Sequence, residues 1–252
     1  MLLRLLHWMV CFSNRQIVLG ADLQFNDSHR RQIRSFIRRD SRMTAGQQNA
    51  IAMHWAGYGL EITQQPVCFK TIFGNTAPVI LDIGFGNCEA LANMAVGYPS
   101  YNFIGIETHK PGVGHLLIDL ARHELSNVRV YNADAIAVLG SMQDNSVSGV
   151  HVFFPDPWQK RRHRKRRLIN PTFTQQLSTK LCCGGYLFIA TDWQDYAQSI
   201  HKILSADSSS FQEVNDTSQA IIPIPDRPTT KFEFRGLRLG HSIHEFKFFK
   251  RY

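Results

Sequence analysis

Val79-Ile80-Leu81-Asp82-Ile83-Gly84-Phe85-Gly86-Asn87-Cys88-Glu89 reads as a buried strand, a two-glycine turn and the start of a helix. Outward from it, Phe103–Ile106, Val128–Tyr131, Val147–Phe154 and Tyr186–Ala190 are further short apolar runs rich in Val, Ile, Leu and Phe, the composition of strands covered on both faces. Between them, Glu89–Val96, Val113–Leu125, Ala135–Met142 and Phe173–Leu181 have the length and spacing of helices. Strand alternating with helix predicts an α/β fold with a mostly parallel, doubly wound sheet and right-handed crossovers. Such a sheet binds ligands beyond the carboxyl ends of its strands, where the strand order reverses. Lys231–Leu239 and Ser242–Lys250 alternate apolar with polar around Gly240-His241, which predicts a C-terminal antiparallel hairpin. Ile221–Pro228, ahead of it, is a proline-rich loop.

The chain has 252 residues, 44% of them hydrophobic, enough for one ordinary globular domain without a disulfide or metal staple. Its formal net charge of +8 is concentrated. The run from Lys160 to Arg167 holds seven Lys or Arg and no acid, leaving +1 for the rest. A second basic stretch, Arg30 to Arg42, is opposed only by Asp40. Positive charge gathered in this way points to a polyanion, either nucleic acid or an anionic membrane surface. The five cysteines are odd in number and have no C-x-x-C spacing, and the eleven histidines show no H-x-x-x-H pattern. A reducing compartment and no bound metal are expected. In Met1 to Val18 the longest clean apolar run, Trp8 to Phe12, is shorter than a signal-peptide core of about 7–15 residues. No stretch reaches the roughly 20 apolar residues of a spanning helix. The expectation is a cytoplasmic protein with no membrane partner. Residues 1–33 are read as an N-terminal extension, loosely docked or disordered, and 34–252 as the main domain.

Glycine at positions 84 and 86 lets the backbone turn tightly and lets a ligand approach without a Cβ in the way. A dinucleotide site would want a third glycine where Glu89 stands, and that carboxylate would repel a pyrophosphate. S-adenosyl-L-methionine carries no phosphate, and its sulfonium and amino group are cationic, which suits Asp82 beside the turn. Glu107 ends the second strand, roughly 20–25 residues on, where an acid takes ribose hydroxyls. Asp134 follows the third strand, placed to accept from an adenine amine or to cap the next helix. Acids at three consecutive strand ends favour the nucleoside cofactor. The fourth strand runs into Phe153-Phe154-Pro155-Asp156-Pro157-Trp158-Gln159-Lys160. Two prolines fix the turn that aims Asp156, the leading catalytic candidate, and Trp158, which either packs the loop or stacks on a splayed base.

Asp82–Gly86, Gly105–Glu107, Pro111–Gly114, Phe153–Trp158, Lys160, Arg162–Arg167, Thr191-Asp192-Trp193 and Thr230–Gly236 together resemble the bacterial tRNA (guanine-N7)-methyltransferases. So do Arg34–Arg39, Met43-Thr44 and Gln47-Gln48, and the likeness runs from about residue 34 to the end. Phe-Pro-Asp-Pro-Trp before a basic run, with Thr-Lys-Phe-Glu downstream, is its specific part. The chain departs from the pattern at Asp82, where such enzymes often have Glu, and at Cys88, where a small residue is common. The resemblance implies a Rossmann-like class I methyltransferase that methylates N7 of a guanosine in the variable loop of tRNA. It implies that Asp82, Gly84, Gly86, Glu107, Asp134 and Asp156 contact S-adenosyl-L-methionine and that Asp156 is catalytic. It places Lys160, Asp192, Thr230, Lys231, Phe232 and Glu233 against the substrate, and Arg162, His163, Arg164, Lys165, Arg166 and Arg167 against the RNA.

N7 of guanine bears a lone pair and no proton, so such a site needs alignment more than a base, and alignment is worth about 7–11 kcal/mol. A fixed carboxylate would stabilise the positive charge that develops on the purine. Two other readings stay open on the sequence. One is a nucleic-acid methyltransferase acting on an exocyclic amine, which would use an N/D/S-P-P-Y/F/W turn in place of this Pro-Asp-Pro-Trp. The other is a non-catalytic RNA-binding protein on the same scaffold. A small-molecule methyltransferase fits the two basic stretches poorly.

Overall fold

The computed structural model describes Ser35, Phe36 and residues 42–86, 89–213 and 221–251, with the backbone alone at Phe232. The expected extension over 1–33 and Arg30, Arg31, Arg34, Arg38 and Arg39 lie outside the described residues, while Arg42 is described and exposed. Eight strands among them form one sheet: β1 Gly59–Leu60, β2 Val79–Ile83, β3 Asn102–Ile106, β4 Val128–Tyr131, β5 Val147–Phe153, β6 Leu181–Thr191, β7 Phe211–Glu213 and β8 His244–Lys250. Their order is β1-β4-β3-β2-β5-β6-β8-β7, and the order reverses at β2, which pairs with β3 on one side and β5 on the other. All pairs are parallel except those of β8, which runs antiparallel to β6 and β7.

Helices cover both faces because the strands are apolar on both. α3 Glu89–Gly97 and α4 Lys110–Arg122, with α1 Ala45–Tyr58, bury one core with Ile80, Phe103 and Val128. α5 Ala135–Gly140, α6 Pro171–Lys180 and α7 Gln194–Ala206 bury the other with Leu81, Ile83, Ile104 and Val150. Adjacent residues of one strand, such as Ile80 and Leu81, therefore serve opposite cores, as the two-residue period of a strand requires. Two short helices complete the set, α2 Phe69–Phe73 and α8 Lys231–Arg238. No helix among the described residues is long and apolar enough to cross a membrane.

The strands and helices expected from Val79 to Leu181 are present, with ends shifted by a few residues, and β6 begins earlier than Tyr186. The C-terminal hairpin is corrected. Ser242–Lys250 does supply an antiparallel strand, but Lys231–Leu239 is not its partner: that stretch forms α8. The reason is a capping box. Thr230 Oγ1 accepts from the Glu233 amide at 3.2 Å while the Glu233 carboxylate accepts from the Thr230 amide at 3.4 Å, closing the first helical turn. β8 instead takes β7 as its outer neighbour. The same device, Thr44 with Gln47, starts α1, a helix the sequence reading did not place.

Candidate active site

A cavity of about 450 Å³ opens where the sheet order reverses, at the carboxyl ends of β2, β3 and β5. Its lining includes Asp82, Gly84, Gly86, Glu107, Asp156, Thr230 and Lys231 of the residues singled out above. Asp82 lies one residue from the end of β2, in register with Gly105 and His151, and is 2% exposed. Its Oδ2 is buried without a hydrogen-bond partner. Burial, and then the negative charge of Glu107, push its pKa up to about 7. Beside it His151 is also buried; its Nε2 meets the Tyr186 hydroxyl at 2.9 Å, and burial pushes its pKa down to about 3. A neutral imidazole offers no counter-charge, so an ionised Asp82 would need a cationic group from outside this pair.

Glu107 is held by the backbone around it. Its Oε2 accepts from the Gly86 amide at 3.0 Å, and its Oε1 from the amides of Thr108 at 2.6 Å and His109 at 2.8 Å. The glycine turn that supplies one of these bonds needs glycine: Gly84 has φ 78° and Gly86 φ 55°. A Cβ on Gly112 would come within 2.5 Å of the Gly86 carbonyl oxygen, so α4 packs directly on the turn. Asp134 follows β4 but caps α5, its Oδ1 accepting from the Ile136 amide at 2.8 Å. Its neighbours Ala133 and Ala135 line the cavity and Asp134 itself does not.

The Phe-Pro-Asp-Pro-Trp segment rises from β5 between two residues in the left-handed region, Phe154 at φ 51° and Trp158 at φ 47°. Such residues cost roughly 1–3 kcal/mol each and persist only where the surroundings hold them. The Phe154 amide donates to the Ala190 carbonyl at 2.8 Å, and Trp158 Nε1 donates to the Ser35 carbonyl at 3.1 Å. Arg166 lies over the Trp158 ring, 5.0 Å from its centroid, and His163 meets it edge-on, so this tryptophan packs the loop. Asp156 stays exposed on the cavity wall.

The basic run folds into a 3-10 turn, Arg161–Arg166, in which Arg161, Arg162, Arg164 and Lys165 are exposed. Lys160, just before it, is exposed and does not line the cavity. Arg167 departs from the expectation of an RNA contact. It is 5% exposed, pairs with Asp195, donates from Nε to the Pro157 carbonyl at 2.9 Å and covers the Tyr196 ring at 4.7 Å. Arg164 reaches the same Asp195 at 2.9 Å. Arg167 therefore anchors the basic turn to α7, and a buried, satisfied guanidinium has nothing to offer a phosphate.

The third wall is the start of α8, where Thr229, Thr230 and Lys231 line the cavity and Lys231 meets Glu89 at 2.7 Å. Glu233 turns away from the cavity. Besides its capping role it pairs with Arg227, whose guanidinium also meets Glu245 of β8 at 2.6 Å and lies over Phe153 and Phe154, 5.8 and 5.5 Å from their ring centroids. Arg227 thus ties α8, β8 and the end of β5 together. The proline-rich reading of its loop gave no sign of it. Asp192, at the end of β6, takes the His241 ring at 3.2 Å and sits against Gly236, outside the cavity lining. The Phe232 side chain lies outside the described residues. Lining residues that the sequence did not single out include Phe36, His109 and Leu168. Phe36 carried a hint, because it stood in the matched N-terminal stretch.

Residues 76–246 match the family model Methyltransf_4, described as "Putative methyltransferase". The chain is 47% identical over 225 residues to the tRNA (guanine-N(7)-)-methyltransferase of Alkalilimnicola ehrlichii, covering 88% of this chain and 94% of the relative. It is 46% identical over 222 residues to the enzyme of that name from Neisseria meningitidis serogroup C, covering 87% and 92%. This chain belongs to the tRNA (guanine-N7)-methyltransferase family. Among solved structures, the aminoglycoside resistance methyltransferase NpmB1 is similar in fold, with a TM-score of 0.50, 14% identity and coverage of 77% of this chain and 97% of that one. A methyltransferase of this family uses S-adenosyl-L-methionine. The cavity fits that donor: Gly84 and Gly86 leave bare backbone beside an unpartnered Asp82 oxygen, and cationic groups would meet acids at the strand ends.

Proposed function

We propose that this chain methylates N7 of a guanosine in tRNA, at position 46 of the variable loop, with S-adenosyl-L-methionine as donor. The observation that carries the reading is the convergence of Asp82, Glu107 and Asp156 on one cavity in a chain nearly half identical to enzymes of that name. The donor supplies a methyl group on a sulfonium, already activated for displacement. Asp82 takes the cationic amino end, which returns a counter-charge to its buried carboxylate. Glu107, held rigid by three backbone amides, presents its remaining lone pairs to ribose hydroxyls. Asp134 spends one oxygen on its helix cap, so the other is what it has for the adenine.

Asp156 works by placement. The purine gains positive charge as N7 is alkylated, and a carboxylate fixed by two prolines favours that charge without having to remove a proton. Thr230 and Lys231 close the opposite wall, while the exposed arginines of the 3-10 turn meet phosphates. Of the two acids expected at the guanine edge, Glu233 is clamped by Arg227 and holds that wall in place, and Asp192 would have to leave His241 and turn in from outside the lining to read the base.

The test is methyl transfer to unmodified tRNA, followed by borohydride reduction and aniline cleavage, which cuts the chain at 7-methylguanosine. A single cut in the variable loop is expected. Methyl incorporation without cleavage would instead indicate a methylated amine and would overturn the N7 assignment.

A further inference from the structure

The outer face of α8 touches the rest of the described protein through Lys231, which pairs with Glu89. In an α-helix, positions i, i+3, i+4 and i+7 share one side, and here those positions are Lys231, Phe234, Arg235 and Arg238. All four are exposed, and Phe234, an aromatic, is 59% exposed. The opposite side faces the protein, with Glu233 held by Arg227 and Gly236 so close to Asp192 that an added Cβ would come within 2.9 Å of its carboxylate. The helix is therefore fixed in rotation, and its cationic aromatic face cannot turn inward. Neither Arg235 nor Arg238 has an acidic partner among the described residues. The same helix begins at the cavity wall, where Thr229, Thr230 and Lys231 line the site.

We propose that this face is a second RNA-contact surface, on which Phe234 stacks against a base of the substrate near the target nucleotide while Arg235 and Arg238 hold phosphates. Charge complementarity selects the occupant: a polyanion matches two unpaired guanidinia, and an exposed aromatic ring beside them offers the flat apolar platform that an unstacked base requires. The face continues the cavity wall, so an RNA whose guanosine enters the site passes over it. Arg235 and Arg238 stand about 4.5 Å apart along the helix axis, close enough to serve adjoining parts of one strand. The inference rests on the tRNA reading above and adds to it the element that grips the strand beside the target guanosine.

The experiment uses the full chain and unmodified tRNA. Phe234→Ala should weaken tRNA binding roughly 5- to 150-fold, the range for loss of one stacked base, and Phe234→Trp should restore it. Arg235→Gln with Arg238→Gln should lower the slope of log affinity against log salt by about 1.4, as expected when two phosphate contacts to a single strand are lost. Calorimetric affinity for S-adenosyl-L-methionine should stay at the wild-type value in all three, which separates RNA contact from a damaged cavity. Unchanged tRNA affinity and salt slope in these variants, with the wild type still methylating tRNA, would overturn the proposal and leave the N7 activity standing. A Phe234→Ala effect seen only in sedimentation, as loss of a self-associated species, would also overturn it and assign the face to a second copy. A wild type that makes no 7-methylguanosine fails the earlier reading instead.

Discussion

The floor of the cavity and its rim use charge in opposite ways. On the floor, Asp82 is buried without a partner for one oxygen and Glu107 is tied down by backbone amides, both at the ends of parallel strands. On the rim, Arg161, Arg162, Lys165, Arg235 and Arg238 stand in water on a 3-10 turn and a short helix. The buried Asp82 carboxyl suits a cationic ligand, Glu107 suits hydroxyl donors, and the exposed cations suit an anion. Between the two lie Arg167 and Arg227, chemically rim residues that have been drawn inside, where each joins separate elements. Residue type alone does not tell these roles apart; burial does.

The largest effect should come where floor and rim meet. Asp156→Ala is expected to lower the rate of methyl transfer roughly 10²- to 10³-fold, the cost of removing one fixed electrostatic group from a transition state. Asp156 is exposed, so the melting temperature should hold, and single-turnover kinetics on tRNA read the loss directly. A rate within a few-fold of wild type would remove Asp156 from the chemistry. Next in size is Arg227→Ala, which strands Glu233, a side chain only 13% exposed, without its partner. Loss of one member of a buried pair costs about 3–5 kcal/mol, measured here by urea denaturation. Glu245 is 39% exposed and water already screens it, so it should add little. Arg227 holds the Glu233 pKa below 4.5, so this stabilisation is present above that value and fades as the pH falls through the lowered one. The deficit of Arg227→Ala should accordingly shrink in acid.

The floor was legible in the sequence because strands leave few choices. A five-residue strand, apolar except for Asp82 and followed by Gly-x-Gly, fixes which end of β2 the acid occupies, and parallel order then brings Glu107 and Asp156 to the same end. The rim was not legible for physical reasons that differ residue by residue. Lys231–Leu239 alternates polar with apolar well enough to imitate a strand, and that alternation masked the short Thr230–Glu233 capping signal that overrules it. Arg167 ends a run of like charges, and only the position of Asp195 and Tyr196 on α7 distinguishes it from Arg162. α7 itself buries Tyr196, Ala197, Ile200 and Leu204 on one face; that spacing could have been found and was not. Arg227 could not have been found, because its two carboxylates come from α8 and β8, elements brought together only by the fold.

A smaller effect follows from the pKa of Asp82. Without ligand, its folded value of about 7 lies above the ordinary 3.8, so the native state keeps a proton that the unfolded chain has released. That group therefore makes the free protein less stable as the pH rises from about 4 to 7. Donor binding should have the opposite slope, because a cationic amino group needs the ionised carboxylate. Affinity for S-adenosyl-L-methionine should fall up to roughly tenfold per pH unit below 7, and Asp82→Asn should bind weakly and flatten the profile. Calorimetry from pH 5.5 to about 8.5 covers the window, and an Asp82→Asn profile parallel to wild type would place the titration elsewhere.

The smallest effect is the one that separates exposed from buried arginine most cleanly. Arg162 is exposed, and replacing it with alanine should leave the melting temperature near wild type while reducing the salt slope of tRNA binding by about 0.7, one contact's share on a single strand. Arg167→Ala should do the reverse. Its guanidinium carries no phosphate but bonds Pro157 and Asp195, so unfolding becomes easier while the salt slope stays at its wild-type value. The basic turn is fastened by Arg167, so tRNA affinity should still drop in that variant, by an amount that does not change with salt. An affinity loss of one size at every ionic strength marks an arginine that positions the turn, and a loss that grows as salt is lowered marks one that touches the RNA. If Arg167→Ala were to follow the second course, the division between floor, rim and fastening drawn from burial would fail at the residue where it makes its sharpest claim.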